Sequence, residues 1–280
     1  MPSTESGVVA ASRDVERPRR SLAQQWVLPA SVSLALLLVW ESLSALGLVN
    51  PFFLPPPSTL AQTLGELIHI GFPEDILLGS HVTVTLRRSL TGYLVAVALA
   101  IPLGIVIGTF PVLDALSRHL ISFGRSIAPI SILPIFIALF GIGETSKIAL
   151  IAFACFWATI TNTIAGVKYI DPLLLRAAQS MDTTRMGIFV GVVLPAALPR
   201  IFSGLKVSLA IAFMVIVAAE MFATVYGLGS LINEARTWFR TDITMVGMAV
   251  IGAIGFCASL SLDWVERRLM PWSNAARREE

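Results

Sequence analysis

Asp171-Pro172-Leu173-Leu174-Leu175-Arg176-Ala177-Ala178-Gln179-Ser180-Met181-Asp182-Thr183-Thr184-Arg185-Met186-Gly187, with Val192-Val193-Leu194-Pro195 just beyond it, decides the fold. It is a polar island between two long apolar runs. Asp171-Pro172 is a helix-start pair, with Asp as the cap and Pro in the first turn. The island reads as a helix, a turn and a proline-marked re-entry into the membrane; with Pro172–Gly187 taken as helix, Leu174, Ala178, Met181 and Arg185 share a face. Leu194-Pro195 marks the return into an apolar run. Ala177 and Ala178 are small enough for another backbone to come close. Such a helix suits a groove on a partner protein, or a lipid surface.

Working outward, 55% of the 280 residues are hydrophobic and only 14% are charged. Soluble domains carry about 25% charged residues. The apolar content falls in runs long enough to cross roughly 30 Å of hydrocarbon as helices. Lipid offers no partner to backbone N–H and C=O groups, so these runs must be helical. The alternating strands of a membrane barrel are absent. The fold class is therefore all-α and polytopic. Six spans are expected: Val27–Leu46, Ser89–Thr109, Ile127–Phe140, Ile148–Val167, Val207–Val225 and Ile243–Leu262. The third carries Pro129 and Pro134, which interrupt a helix. Residues 1–26 form a basic, disordered tail, 27–262 the membrane domain, and 263–280 a second tail.

Lys and Arg set the orientation. With the N-terminus inside, fifteen of the 20 lie on the inner side, including Arg118, Arg125 and five in 168–206. The outer side holds Arg87, Arg88, Lys147, Arg236 and Arg240. The positive-inside rule then puts both termini and the polar island in the cytoplasm. Pro55-Pro56-Pro57 suits a stiff outer entry, and a helix near Thr59–Ile70 is expected along the outer interface.

A net charge of +2 gives no reason to expect nucleic acid. No phosphate-binding loop motif is present. Cys155 and Cys257 lie inside apolar runs, and His69, His81 and His119 are scattered, so neither a disulfide, a metal site nor a cofactor is expected. Gly141-Ile142-Gly143 and Gly227-Leu228-Gly229 read as helix-ending turns. Gly104/Gly108 and Gly187/Gly191 have the spacing that permits close helix approach. Glu220 is a carboxylate late in the fifth span. It reads either as a pathway or gate residue, or as an acid that holds the bundle together. Asn162, with Thr159, Thr161 and Thr163, makes a polar patch that lines a pathway or bonds neighbouring helices. Glu41 ends the first span near the outer interface.

The island resembles the cytoplasmic Glu-Ala-Ala motif of importer-type ABC permeases. Ala177, Ala178, Leu194 and Pro195 agree in register; Arg176 stands for the Glu, Asp182 for the Gly and Val192 for the Ile. Trp40-Glu41, Leu54-Pro55-Pro56-Pro57-Ser58, Ile101-Pro102-Leu103-Gly104, Leu133-Pro134, the Phe140–Lys147 stretch, Asn162 with Gly166-Val167, and Glu220-Met221 with Gly227-Leu228-Gly229 resemble the sulfonate/taurine/nitrate branch. The resemblance implies a permease subunit rather than an enzyme. Two copies would form the pathway for a small anion, a cytoplasmic ATPase would bind the island helix, and an extracytoplasmic binding protein would deliver solute. The residues implied in coupling are Pro172, Leu174, Arg176, Ala177, Ala178, Met181, Asp182, Arg185, Gly187, Leu194 and Pro195. Those implied in the pathway are Glu220, Asn162, Thr159 and Thr163. The rival reading is a secondary transporter or channel with Glu220 as an ion relay. It requires several buried ionisable residues on one path and inverted repeats; the sequence offers mainly one acid and no repeat. A membrane enzyme would need a nucleophile or metal cluster in the spans, and none is seen.

Overall fold

The computed structural model describes residues 22–271 except 49, 182, 183 and 223, and the side chains from residue 31 onward. Asp182, most of the first tail and half of the second lie outside the described residues. The elements are α1 (Leu22–Ala45), α2 (Pro57–His69), α3 (Leu78–Thr109), α4 (Pro111–Ser126), α5 (Pro129–Phe140), α6 (Glu144–Lys168), α7 (Pro172–Ser180), α8 (Arg185–Ile188), α9 (Leu194–Glu220), α10 (Leu228–Thr237) and α11 (Thr241–Leu269). There is no strand among the described residues. Proline opens α2, α4, α5 and α7, where its missing N–H is not needed.

The centre of the bundle is α3, α6 and α9. Leu150, Ile151, Cys155 and Ile216 are fully buried there. Lipid tails are as apolar as leucine, so close packing rather than water exclusion holds such helices together. Gly104 and Gly108 supply it. A Cβ at Gly104 would lie 2.7 Å from Thr163 Cβ, and one at Gly108 would lie 2.9 Å from Val167 Cβ. Gly191, by contrast, faces open space. Outside this core, α2, α10 and α11 join through Leu67, Leu228, Leu231 and Ile243.

Charged groups mark both ends of the bundle. At one end Arg88 of α3 meets Glu144 of α6 and Glu220 of α9. At the other, Asp114 of α4 pairs with Lys168 of α6 at 2.6 Å, and Lys206 of α9 pairs with Asp263 of α11 at 2.5 Å and with Glu266. The stretch of α6 from Lys147 to Lys168 spans about 31 Å at 1.5 Å per residue, the thickness of a hydrocarbon core.

Among the described residues four helices are long and apolar enough to cross a membrane, and α4 with α5 makes a bent fifth candidate, where six spans are expected. The 24-residue α1, Leu22–Ala45, covers the first expected span, Val27–Leu46, to within one residue of its end. The third expected span is the 12-residue α5, set at 94° to α4. The cause is local. Ile127 and Ala128 are extended, because a residue before proline is pushed out of the helical region. The helix of the second expected span, α3, starts at Leu78, eleven residues before the expected start at Ser89, so Arg87 and Arg88 are helical. The last helix continues past Leu262 to Leu269.

The island takes the expected order of helix, turn and re-entry, but its first helix is shorter than Pro172–Gly187. α7 ends at Ser180, Met181 is in a turn, and Arg185 starts a new helix, so Arg185 does not share a face with Leu174 and Ala178. From Arg185 the chain stays helical to Glu220. Pro195 is therefore inside this helix rather than at its start. A proline ring clashes with the carbonyl four residues back. The wide π turn at Phe189–Val193, in which the Leu194 N–H donates to the Phe189 carbonyl, makes room for it.

Candidate functional site

Three sites gather the polar groups of the bundle. The first lies at the α3–α6–α9 end. Glu220 is wholly buried and its carboxylate accepts from the Thr85 hydroxyl at 2.8 Å, from Arg88 Nη1 at 2.8 Å and from the Gly229 N–H at 3.0 Å. Arg88 Nη1 also donates to the Tyr226 carbonyl at 2.7 Å, and Arg88 Nε to Glu144 Oε2 at 2.7 Å. Thr85 in turn accepts from the Leu228 N–H at 2.8 Å. The ring nitrogens of His81 lie 2.9 Å from the Gly227 carbonyl oxygen and 3.1 Å from that of Phe72. Buried Lys147 donates to the Gly143 carbonyl. Two cations, Arg88 and Lys147, thus stand near two carboxylates, and an isolated buried charge is avoided.

Gly227 makes this packing possible. Its φ of 130° favours glycine, and a Cβ there would sit 2.3 Å from the Glu220 carboxyl carbon. The Gly227-Leu228-Gly229 turn opens α10 rather than ending a helix, because its backbone must wrap this carboxylate. Glu220 therefore ties α9 to α3 and to the start of α10, and it is not on an open surface. At the same end of the bundle, Glu41 accepts from the backbone N–H and the hydroxyl of Ser58, capping α2.

The second site is a cleft of about 510 Å³ between the α4–α5 bend and the α6 and α9 helices. Arg125, Trp157, Thr161, Asn162, Ile211 and Met214 line it. Of the expected polar patch, Asn162 and Thr161 reach this cleft. Thr159 and Thr163 do not. They are buried within the bundle, where Thr163 meets Gly104 and bonds to the Thr159 carbonyl.

The third site is α7. The Asp171 side chain accepts from the Leu173 N–H at 2.8 Å, as a cap should, with Pro172 following. Leu173 is 70% exposed and Met181 77%, with Leu174, Arg176 and Ala177 also exposed. Ala178 is only 8% exposed and faces the chain itself. Nearby, Gly166 of α6 meets the carbonyl of buried Ala197 on α9, and Arg200 stacks 5.5 Å from the Tyr169 ring. Gly187, Leu194 and Pro195 are half-buried and Arg185 is exposed.

Residues 100–272 match the family described as "Binding-protein-dependent transport system inner membrane component". The chain belongs to this family. It is a multi-pass inner-membrane transport component and not an enzyme. The taurine transport system permease protein of Escherichia coli (strain K12) is 37% identical, over 90% of this chain and 94% of that protein. An aliphatic sulfonates transport permease protein of Bacillus subtilis (strain 168), itself named as a presumptive one, is 29% identical over 89% of each. A chain of the MetNI methionine ABC transporter in an inward-facing conformation superposes with a TM-score of 0.59 at 17% identity, covering 68% of this chain and 95% of that one, which shows a shared fold.

The sequence shows Arg88 only as one more outer charge and His81 only as a scattered histidine, and nothing in it joins Thr85 or Glu144 to Glu220. A signal existed: Arg87-Arg88 leads directly into an apolar run, and Glu220 needed a cation. Arg125 was counted as an inner-loop charge, although it lines the cleft of this transport component.

Proposed function

We propose that this chain is the permease subunit of an ATP-driven importer for a small anionic solute of the sulfonate class, taurine among them. The observation that carries this reading is α7: a capped helix between α6 and α9 whose Leu173, Leu174, Ala177 and Met181 face is uncovered. An apolar face on a short rigid helix between spans is what a groove on an ATP-hydrolysing partner would grip. The taurine and sulfonate relatives supply the solute class. Two copies of the chain would enclose the pathway, with both termini and α7 in the cytoplasm and a binding protein on the far side. Closure of the ATPase would push α7 and rock the bundle between two states as a rigid body. The ion-relay alternative is not favoured, since Glu220 is fully buried and paired with Arg88. The test is to reconstitute the chain with its genomic ATPase and binding-protein neighbours in proteoliposomes and follow labelled taurine. ATP-dependent accumulation is expected; accumulation without ATP, driven by an ion gradient, would overturn the proposal.

A further inference from the structure

Arg125 is a cation of the cleft that meets no carboxylate among the described residues. Arg88, Lys168 and Lys206 each meet one. The Arg125 side chain is exposed on the single chain and lines the cleft, so its place along the bundle decides what it can meet. At its start α4 binds α6 through Asp114 and Lys168. Ten residues later, Gly124 lies against the Trp157 ring, where a Cβ would come within 2.3 Å of Cζ2. Trp157 stands near the middle of the α6 stretch that runs from Lys147 to Lys168. α4 therefore climbs α6 to mid-depth, and Arg125 sits there, one residue before the helix ends and the chain turns by 94°. A guanidinium at such a depth is expensive unless it meets water or a counter-charge, and small-molecule sites form between the helices of bundles.

The surroundings of Arg125 suit an oxyanion. The cleft, about 510 Å³, falls in the range of small-molecule sites, roughly 300–1,000 Å³. Its walls are apolar apart from Arg125 of α4 and Thr161 and Asn162 of α6. Asn162 uses one amide N–H on the Ala158 carbonyl and retains a second. The guanidinium fork matches the paired oxygens of a sulfonate or carboxylate.

We infer that Arg125, with Asn162, forms an oxyanion subsite in the cleft at the α4–α5 bend, which binds the sulfonate or carboxylate headgroup of the solute in transit. This rests on the permease reading above and adds to it a residue and a headgroup chemistry. The permease–ATPase complex is placed in nanodiscs of phosphatidylcholine, which carries no net charge to compete for the site. It is titrated by intrinsic tryptophan fluorescence with ethanesulfonate and with the neutral ethanesulfonamide. The wild type and Arg125→Lys are expected to bind the anion and not the amide. Arg125→Gln, which keeps size and polarity, is expected to lose about ten- to a hundredfold in affinity, the range for a hydrogen bond to a charged group. Equal affinity of wild type and Arg125→Gln for ethanesulfonate, or equal response to anion and amide, overturns the inference. Uptake separates the two claims. Loss of anion binding in Arg125→Gln beside a wild type that shows no ATP-driven uptake sinks the permease reading and leaves the subsite standing.

Discussion

The guanidinium of Arg88 and the carboxylate of Glu220 meet at 2.8 Å, one 3% exposed and the other fully buried, across 132 positions of sequence. With Thr85 and the Gly229 N–H they satisfy one another, and so α3, α9 and α10 are held at one end of the bundle. Removing one partner leaves a buried charge uncompensated, at about 3–5 kcal/mol. Arg88→Leu and Glu220→Leu should each lower the melting temperature of the purified permease sharply. The double variant should recover part of that loss, because no orphan charge remains. Additive losses in the double variant would show that the pair is not coupled.

The two small-residue pairs should behave oppositely. Gly104 touches Thr163, so Gly104→Ala must push α3 from α6, at about 1–3 kcal/mol. Gly191 has nothing within 4 Å. Gly191→Ala should be neutral or stabilising by about 0.4–1 kcal/mol, through a less flexible unfolded chain. Thermal melts of the two variants in one detergent give the comparison, and a larger loss in Gly191→Ala would contradict this packing.

Much of this architecture can be read from the sequence, for a physical reason. Lipid leaves an apolar run no choice but helix, and charges end such runs, so Lys147, Lys168, Lys206 and Asp263 mark the bundle's ends where hydropathy puts them. What could not be read depends on pairing across the fold. The polar first turns of α3, from Leu78 to Arg88, look like loop until Thr85 and Arg88 are seen to face Glu220. Pro129 announces an interruption, but the depth of Arg125 follows from Gly124 packing on Trp157. Ala178 looks like contact surface by spacing alone, and only the tertiary fold turns it inward.

Topology gives a third expectation. Reporter domains fused after Glu280 and inserted at Glu74-Asp75, in the exposed turn between α2 and α3, should report opposite sides of the membrane, since the Lys and Arg count places the C-terminus inside. Alkaline phosphatase activity is expected at the turn and not at the C-terminus. The reverse pattern would move α7 to the outer face and remove it from reach of any ATPase.

Coupling through α7 is the sharpest test, because burial separates two neighbouring alanines. Ala177 is exposed and Ala178 faces the chain. Ala177→Glu should leave the melting temperature near wild type and abolish co-purification with the ATPase, since a carboxylate enters an apolar contact. Ala178→Glu should lower both, because it overfills the chain's own packing by about 1–3 kcal/mol. Leu173→Asp, at a position 70% exposed, should act as Ala177→Glu does. Arg176 is exposed as well, and its charge is opposite to that of the family's usual Glu. It should pair with an acidic residue of the partner, so Arg176→Glu should weaken the complex without unfolding the chain. Retention of the ATPase by Ala177→Glu, Leu173→Asp and Arg176→Glu together would show that the exposed face of α7 is not what the partner grips.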